Sequence, residues 1–301
     1  MRRVQVALAS ALAMVMAGSV ASLSFARSTA NVPNLEPIEI FSQPPAGFNP
    51  LTASAAALKK YGFPPRPTDP MALSLWTWAM QHAKHYVAPN PVASSIVHAP
   101  PDHSGAPWSG YYIPSNGVHF TSSQARWTQP AVAGQNYSSL SNAPDASFWT
   151  GIGMNNIIQA GADSIATSTP QYRFWTEDYP QSTILEGPTI RPGDLAYVNI
   201  QYNGNDTTTF YLENYTTGGY SSFTNSTPNV GWSSGEVMNE QPNTSLPMPV
   251  YGSTSFAGAG AGNNTVWNDL TSSNSDLINQ IVGVTVSYPV QNSDAGFTVS
   301  N

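Results

Sequence analysis

Two carboxylates, Glu236 and Glu240, stand four positions apart in the stretch GWSSGEVMNEQP, in a chain where charged residues are only 9% of the total. On a strand, Glu236, Met238 and Glu240 share one face while Val237 and Asn239 take the other. A carboxylate pair invites glycoside hydrolysis, and retaining enzymes hold their two carboxyl groups about 5 Å apart. Residues i and i+4 of a strand have Cα atoms roughly 13 Å apart, so the two side chains would have to converge. One carboxylate alone can take a proton from an attacking water and return it to a leaving group. The blandest reading is that both glutamates lie on a solvated face. A second concentration of chemistry, SFWTGIGMNNIIQAGADSIATSTPQYRFWTEDYP from residue 147 to residue 180, is dense in Trp and Tyr and ends on Glu177, Asp178 and Tyr179.

Other chemistries find little footing. The chain has no cysteine, so thiol nucleophiles, thiolate metal sites and disulfides are all excluded. Its five histidines (His82, His85, His98, His103, His119) end at residue 119. His82 and His85 have a spacing that metals use, yet no nearby carboxylate completes a set, and neither metal nor cofactor is expected. No G-x-S-x-G and no Gly-rich phosphate loop before a helix occurs. From Pro101 onward fourteen Asp and Glu face three basic residues, Arg126, Arg173 and Arg191, which excludes nucleic acid as a partner. At about pH 3 to 4 many of these carboxylates are protonated. A domain with three arginines then gains little positive charge, so the composition suits an acidic environment.

The elements that must position these residues fall into three parts. MRRVQVALASALAMVMAGSVASLSFARS has an Arg pair, an apolar run and small residues at Ser24 and Ala26, the pattern of a secretory signal peptide over 1–26. Residues 27–100 hold all three lysines (Lys59, Lys60, Lys84) and a predicted helix in DPMALSLWTWAMQHAKHY, with Asp69 as N-cap and Pro70 at the first helical position. This part is expected to be a propeptide or a docking arm. Its lysines would pair with the acidic domain at neutral pH and let go in acid. Residues 101–301 change to short β-branched and aromatic runs such as SGYYI, LAYVNIQY, TTTFYLENY and QIVGVTVSYPV. In LAYVNIQY, Leu195, Tyr197, Asn199 and Gln201 alternate with Ala196, Val198, Ile200 and Tyr202. The fold class is all-β, a two-sheet antiparallel sandwich or jelly roll. VWNDLTSSNSDLINQI is expected to be a loop with a short turn, and AGAGAG (257–262) a flexible loop.

In order along the chain, WTGIG, IIQAG, YRFWTEDYP, YLENYTTG and GEVMNE resemble the motifs of the eqolisins, or glutamic peptidases, which are secreted endopeptidases acting in acid. The opening PWSGY is similar to the family's N-W-x-G, and the likeness spans roughly Trp108 to Tyr288. It implies a concanavalin-like sandwich, polypeptide substrates and a catalytic dyad at Gln159 and Glu240. It also implies wall or support positions at Trp149, Trp175, Glu177 and Trp108, with Glu236 a neighbour of the dyad. In that chemistry Glu240 is the general base and acid, and the Gln159 amide steadies the oxyanion without changing charge. A secreted monomer, free of the membrane after signal removal, is expected. Two departures stand out: Gly153 replaces a family aspartate near the site, and Pro107 replaces the usual asparagine before Trp108. A carbohydrate-active sandwich, either a glucanase or a lectin-like module, is the alternative. An inactive relative that binds peptide or polysaccharide is a third.

Overall fold

The computed structural model describes residues 39–89, 92–93, 107–153, 156–179, 184–185, 187–228, 231–263, 266–270, 276–278, 280–282, 285–293 and 296–301. The signal-peptide expectation for 1–26, and His98 and His103, lie outside them. In chain order the first elements are β1 (Glu39–Ile40), α1 (Ala55–Lys60), α2 (Pro70–His82), β2 (His85–Tyr86) and β3 (Val92–Ala93). There follow β4 (Trp108–Pro114), β5 (Ser122–Thr128), β6 (Asp145–Ile152), β7 (Ile158–Ile165), β8 (Gln171–Asp178), β9 (Ile184–Leu185), β10 (Leu195–Gly204), β11 (Thr207–Asn214) and β12 (Gly219–Ser226). The last are β13 (Ser234–Glu240), β14 (Ser253–Gly262), β15 (Trp267–Asp269), β16 (Asp276–Ile278), β17 (Gln280–Val282), β18 (Thr285–Ser293) and β19 (Gly296–Ser300).

Two largely antiparallel sheets face each other, as the alternating pattern predicts. An eight-stranded sheet has the order β16-β4-β13-β6-β7-β8-β9-β3, and an eleven-stranded back sheet runs β1-β12-β11-β10-β5-β14-β19-β18-β17 with β2 and β15 attached at β12 and β14. Between them lies one apolar core. Phe148, Ile158, Ala160, Phe174 and Val237 from the first sheet meet Trp127, Val198, Ile200, Phe210, Leu212, Phe256 and Phe297 from the second. Each such large side chain contributes about 1.5–3 kcal/mol on burial, which lets the sandwich stand without disulfides. In β10 the predicted alternation holds: Ala196, Val198 and Ile200 enter the core, while Tyr197 and Asn199 point to the outer face of the back sheet.

One expectation about loops needs correction. AGAGAG is not a loop but the second half of β14, paired with β5 and β15. Its small residues admit a neighbour: a Cβ at Gly260 would lie 2.7 Å from the Trp267 ring, so the glycine is what lets that ring sit on the strand. Within VWNDLTSSNSDLINQI the described residues form β15, β16 and the start of β17, while the polar middle 271–275, where the turn is expected, lies outside the described residues. Trp267 and its neighbours find backbone partners on β14, and β16 pairs with β4.

The segment 39–89 packs on the outer face of the back sheet. Helix α2 begins where the capping signal predicts, with the Asp69 carboxylate accepting from the Met71 and Ala72 amides. Leu58, Phe63, Trp76 and Met80 bury against Tyr197, Tyr211, Tyr215 and Tyr220. Trp78 stacks on Tyr215 at 3.4 Å between ring centroids, His82 stacks on the same tyrosine at 4.2 Å, and the Arg126 guanidinium lies 3.9 Å from the Trp78 ring centroid. The expected lysine pairing is absent: among the described residues Lys59, Lys60 and Lys84 make no ion pair with the sandwich. Flat aromatic faces make the contact instead, and an apolar contact does not loosen when surface carboxylates are protonated. We therefore expect Trp78→Ala to expose 39–89 to limited proteolysis in acid, and replacement of all three lysines by glutamine to leave the digestion pattern unchanged; the reverse outcome would restore the electrostatic account.

Candidate active site

Register turns the outer face of the eight-stranded sheet into a grid of three rows. Trp108, Glu240, Ser147, Asp163 and Arg173 stand side by side across β4, β13, β6, β7 and β8. The next row is Gly110, Met238, Trp149, Gly161 and Trp175, and the third is Tyr112, Glu236, Gly151, Gln159 and Glu177. Alternation sends Val237, Phe148, Ala160 and Phe174 to the core. Trp108, Trp149, Trp175, Met238 and Ile157 form a separate apolar cluster on the other face, with Tyr112 and Tyr179 against it. All seven site residues expected from the sequence therefore lie on one face.

Each member of the expected dyad is held by a neighbour. The Trp149 indole N–H donates to Glu240 Oε2 at 2.8 Å, and Trp108 meets Trp149 edge to face at 5.0 Å. Gln159 Nε2 donates to Glu177 Oε2 at 2.6 Å, across the β7–β8 ladder. This bond sets which way the Gln159 amide faces and leaves its second N–H uncommitted. Gln159 Oε1 is buried without a hydrogen bond, as is the Trp108 indole N–H. The dyad is not a contact pair. Its members lie two strands apart and four residues apart along the strand, so their Cα atoms are roughly 16 Å apart by sheet spacing, with Trp149 on the diagonal between them. The face is closed: Gln159, Glu240, Trp149 and Trp175 each have 0% exposure.

A supporting network escaped the sequence reading. Trp175 Nε1 donates to Ser147 Oγ at 3.0 Å, Ser147 Oγ donates to Asp163 Oδ1 at 2.8 Å, and Arg173 Nε lies 3.2 Å from Asp163 Oδ2. From the core side Tyr251 donates to Asn239, whose amide donates to the Ser147 carbonyl at 3.2 Å. Counting by twos from Trp149 and Gln159 would have put Ser147 and Asp163 on the right face; their pairing needed the register. At the position of the family aspartate, Gly153 has φ of +93° and a Cβ there would lie 2.6 Å from the Gly231 carbonyl oxygen. This backbone has no room for an aspartate side chain.

Glu236 and Glu240 live in different surroundings. Glu236 is fully buried, neither carboxylate oxygen has a hydrogen bond, and Ile157 lies over the adjacent Gly151, 3.0 Å from where a Cβ would stand. Burial pushes its carboxyl up to about 8. Asp178 is raised to about 7, first by burial and then by the charge of Glu177. Beneath the docked segment, burial also holds Glu213 well above the ordinary glutamate value, although the Tyr211 hydroxyl bonded to it at 3.2 Å opposes this.

A carboxyl whose folded pKa exceeds its unfolded value stabilises the fold in its protonated form. That stability is fully present below the ordinary carboxylate values near 4 and is lost as pH rises through about 7 to 8. Glu236 alone accounts for on the order of 5 kcal/mol of the loss. The thermal midpoint should thus be highest in acid and fall toward pH 8, and Glu236→Gln should flatten the fall. A midpoint that rises toward neutrality in the wild type would refute the assignment.

Comparison with known proteins identifies the family and the fold. Residues 106–300 match the family model of the Peptidase A4 family. Scytalido-glutamic peptidase with a transition-state analogue inhibitor has a similar structure, with TM-score 0.54, 19% identity, and coverage of 65% of this chain and 98% of that one. SCP-B, described as a member of the eqolisin family in complex with the tripeptide Ala-Ile-His, gives TM-score 0.52 and 18% identity over the same shares. No curated protein matches. At these identities the structural likeness shows the sandwich fold, and the family follows from the model match over well more than half of the sequence: the chain belongs to the Peptidase A4 family, the eqolisins its motifs resemble.

Proposed function

We propose that the chain is an acid-acting glutamic endopeptidase in which Glu240 and Gln159 work on one peptide bond. Glu240 takes a proton from water as the water oxygen bonds to the scissile carbonyl carbon. It then delivers that proton to the leaving nitrogen as the C–N bond breaks. The free N–H of Gln159 donates to the oxyanion, and an amide keeps this capacity at any pH. The observation that carries the reading is the separate anchoring of the two groups on one face, Glu240 by the Trp149 indole and Gln159 by Glu177. The tryptophans give an extended peptide apolar walls on both sides.

Closure of the face supports a further part of the proposal. A polypeptide reaches the dyad only after a rearrangement or a cleavage, which accords with secretion as a precursor. The glucanase alternative loses ground on the same grid. Glu236 and Glu240 sit two rows apart with Met238 between them, and Ile157 covers Gly151 beside Glu236, far from the approach of about 5 Å that retaining hydrolysis demands.

With a denatured protein as substrate in acid, Gln159→Ala should lower kcat about 100- to 1,000-fold. Glu240→Gln should lower it by at least about 100-fold. Both should change KM little, while Glu236→Gln should leave kcat within a few-fold of wild type. Near-normal turnover in either dyad variant would sink the assignment.

A further inference from the structure

Residues 39–89 hold the back sheet by one strand edge and one aromatic patch. β12 has β11 on one side, and on the other the segment itself supplies its partners: β1 at Phe223 and Thr224, β2 at Gly219 and Tyr220. The Lys84 and His85 amides donate to the Gly218 carbonyl, Ser222 Oγ donates to the Gly62 carbonyl, and Ser221 Oγ donates to that of Val87 at 2.7 Å. Phe63 sits against Tyr211 and Tyr220, with ring centroids 5.9 and 5.1 Å away. These contacts fall on the sheet opposite the dyad.

A carboxyl lies beneath this layer. Arg126, Tyr197, Glu213, Tyr220 and Tyr86 occupy one row across β5, β10, β11, β12 and β2. Glu213 is therefore flanked by tyrosines from both neighbouring strands, and Tyr211 and Tyr215 stand two positions before and after it in the sequence. It is fully buried; Oε2 accepts from the Tyr211 hydroxyl, and Oε1 has no hydrogen bond. The titratable groups that act on it are phenols, those of Tyr197, Tyr211, Tyr215 and Tyr220. The nearby cations are engaged elsewhere, Arg126 against Trp78 and His82 against Tyr215. Among the described residues neither of these, nor Lys59, Lys60 or Lys84, forms an ion pair with Glu213.

We propose that 39–89 is a layer seated by acid: it stays on the back sheet while Glu213 is neutral and leaves when Glu213 ionises. With the segment in place, a charge on Glu213 meets phenol rings and no cation, whereas with the segment gone water solvates it. The seated state thus binds the Glu213 proton more tightly than the open state. Burial is the first cause of the raised Glu213 value and acts in this direction, with the Tyr211 hydroxyl opposing it. Seating is then fully favoured below the ordinary carboxylate value near 4, and weakens about tenfold per pH unit above it until the buried group itself ionises. Attachment through the lysines would have the opposite sign, since acid would weaken it. In acid the segment accordingly remains part of the molecule and is not what is shed. Its departure toward neutrality uncovers the four tyrosines and the edge of β12, a strand edge open to pairing with another chain.

Hydrogen exchange of the full chain, read by mass spectrometry from about pH 4 to about pH 8 and corrected for the chemical exchange rate, tests the proposal. Off the sheet, a helix of 13 residues is marginal in water, so exchange in α2 reports seating. Relative to the amides of β6, protection of α2 should fall at least about tenfold between pH 5 and pH 8. Glu213→Gln keeps an acceptor for Tyr211 but cannot ionise, and should hold α2 protection within about threefold across the range; His82→Gln should leave the wild-type fall in place. Far-ultraviolet circular dichroism in acid shows that each variant is folded, and the wild-type comparison of α2 with β6 decides by itself if one is not. Four outcomes overturn the proposal: level protection of α2 in the wild type, a fall in step with β6 that marks global unfolding, an equal fall in Glu213→Gln, or loss of the fall in His82→Gln. No activity is measured, so failure here leaves the dyad assignment standing.

Discussion

The register of β13 is the constraint on which the rest of the site depends. This strand is sandwiched in its sheet between β4 and β6 and is buried on both faces. Its odd positions hold Val237 in the core and tie Asn239 to Tyr251, while its even positions hold Glu236, Met238 and Glu240 on the outer face. A slip of one residue would exchange the faces, driving two carboxylates into the apolar core and Val237 out of it. Burying an unpaired carboxylate in such a core costs far more than the strand gains elsewhere, so the core fixes the position of Glu240. Through the ladder to β6, the same register places Trp149 where its indole N–H meets Glu240.

Buried carboxyls link the fold to acid. Asp178, Glu213 and Glu236 are all pushed upward chiefly by burial. They occupy separate places: the end of β8, the interface with 39–89, and the row that holds Gln159. In acid each is neutral and compatible with its surroundings. Toward neutrality each must either ionise in an apolar setting or keep a proton that solvent would remove. The scarcity of basic residues, read from composition as a surface property, thus has an internal counterpart. The docked segment follows the same logic, since Glu213 lies beneath its aromatic contact, where burial favours its neutral form.

Much of this was legible in the sequence, for physical reasons that can be named. Alternation in LAYVNIQY revealed a sandwich strand because one face had to be apolar. Asp69-Pro70 announced α2 because an N-cap acceptor and a pre-set φ act locally. The ordered motifs from PWSGY to GEVMNE pointed to the family and to seven residues that share one face of the sheet. AGAGAG misled, because local flexibility says nothing of the Trp267 ring that needs the missing side chains. The Ser147–Asp163–Arg173 network was hidden because cross-strand neighbours are set by register between distant segments. The lysines of 39–89 suggested a charged contact, whereas Trp78 and Tyr215 make an aromatic one.

The central claim is that this face cleaves peptide bonds when its carboxyls are in their acid-state arrangement. The most direct measurement is the release of new amino termini from an unfolded protein by the processed enzyme, followed from about pH 2 to about pH 8. The account predicts a maximum in acid and little activity near neutrality, where Asp178 and Glu236 approach ionisation. No release of amino termini at any pH, or a maximum at neutral pH, would contradict it.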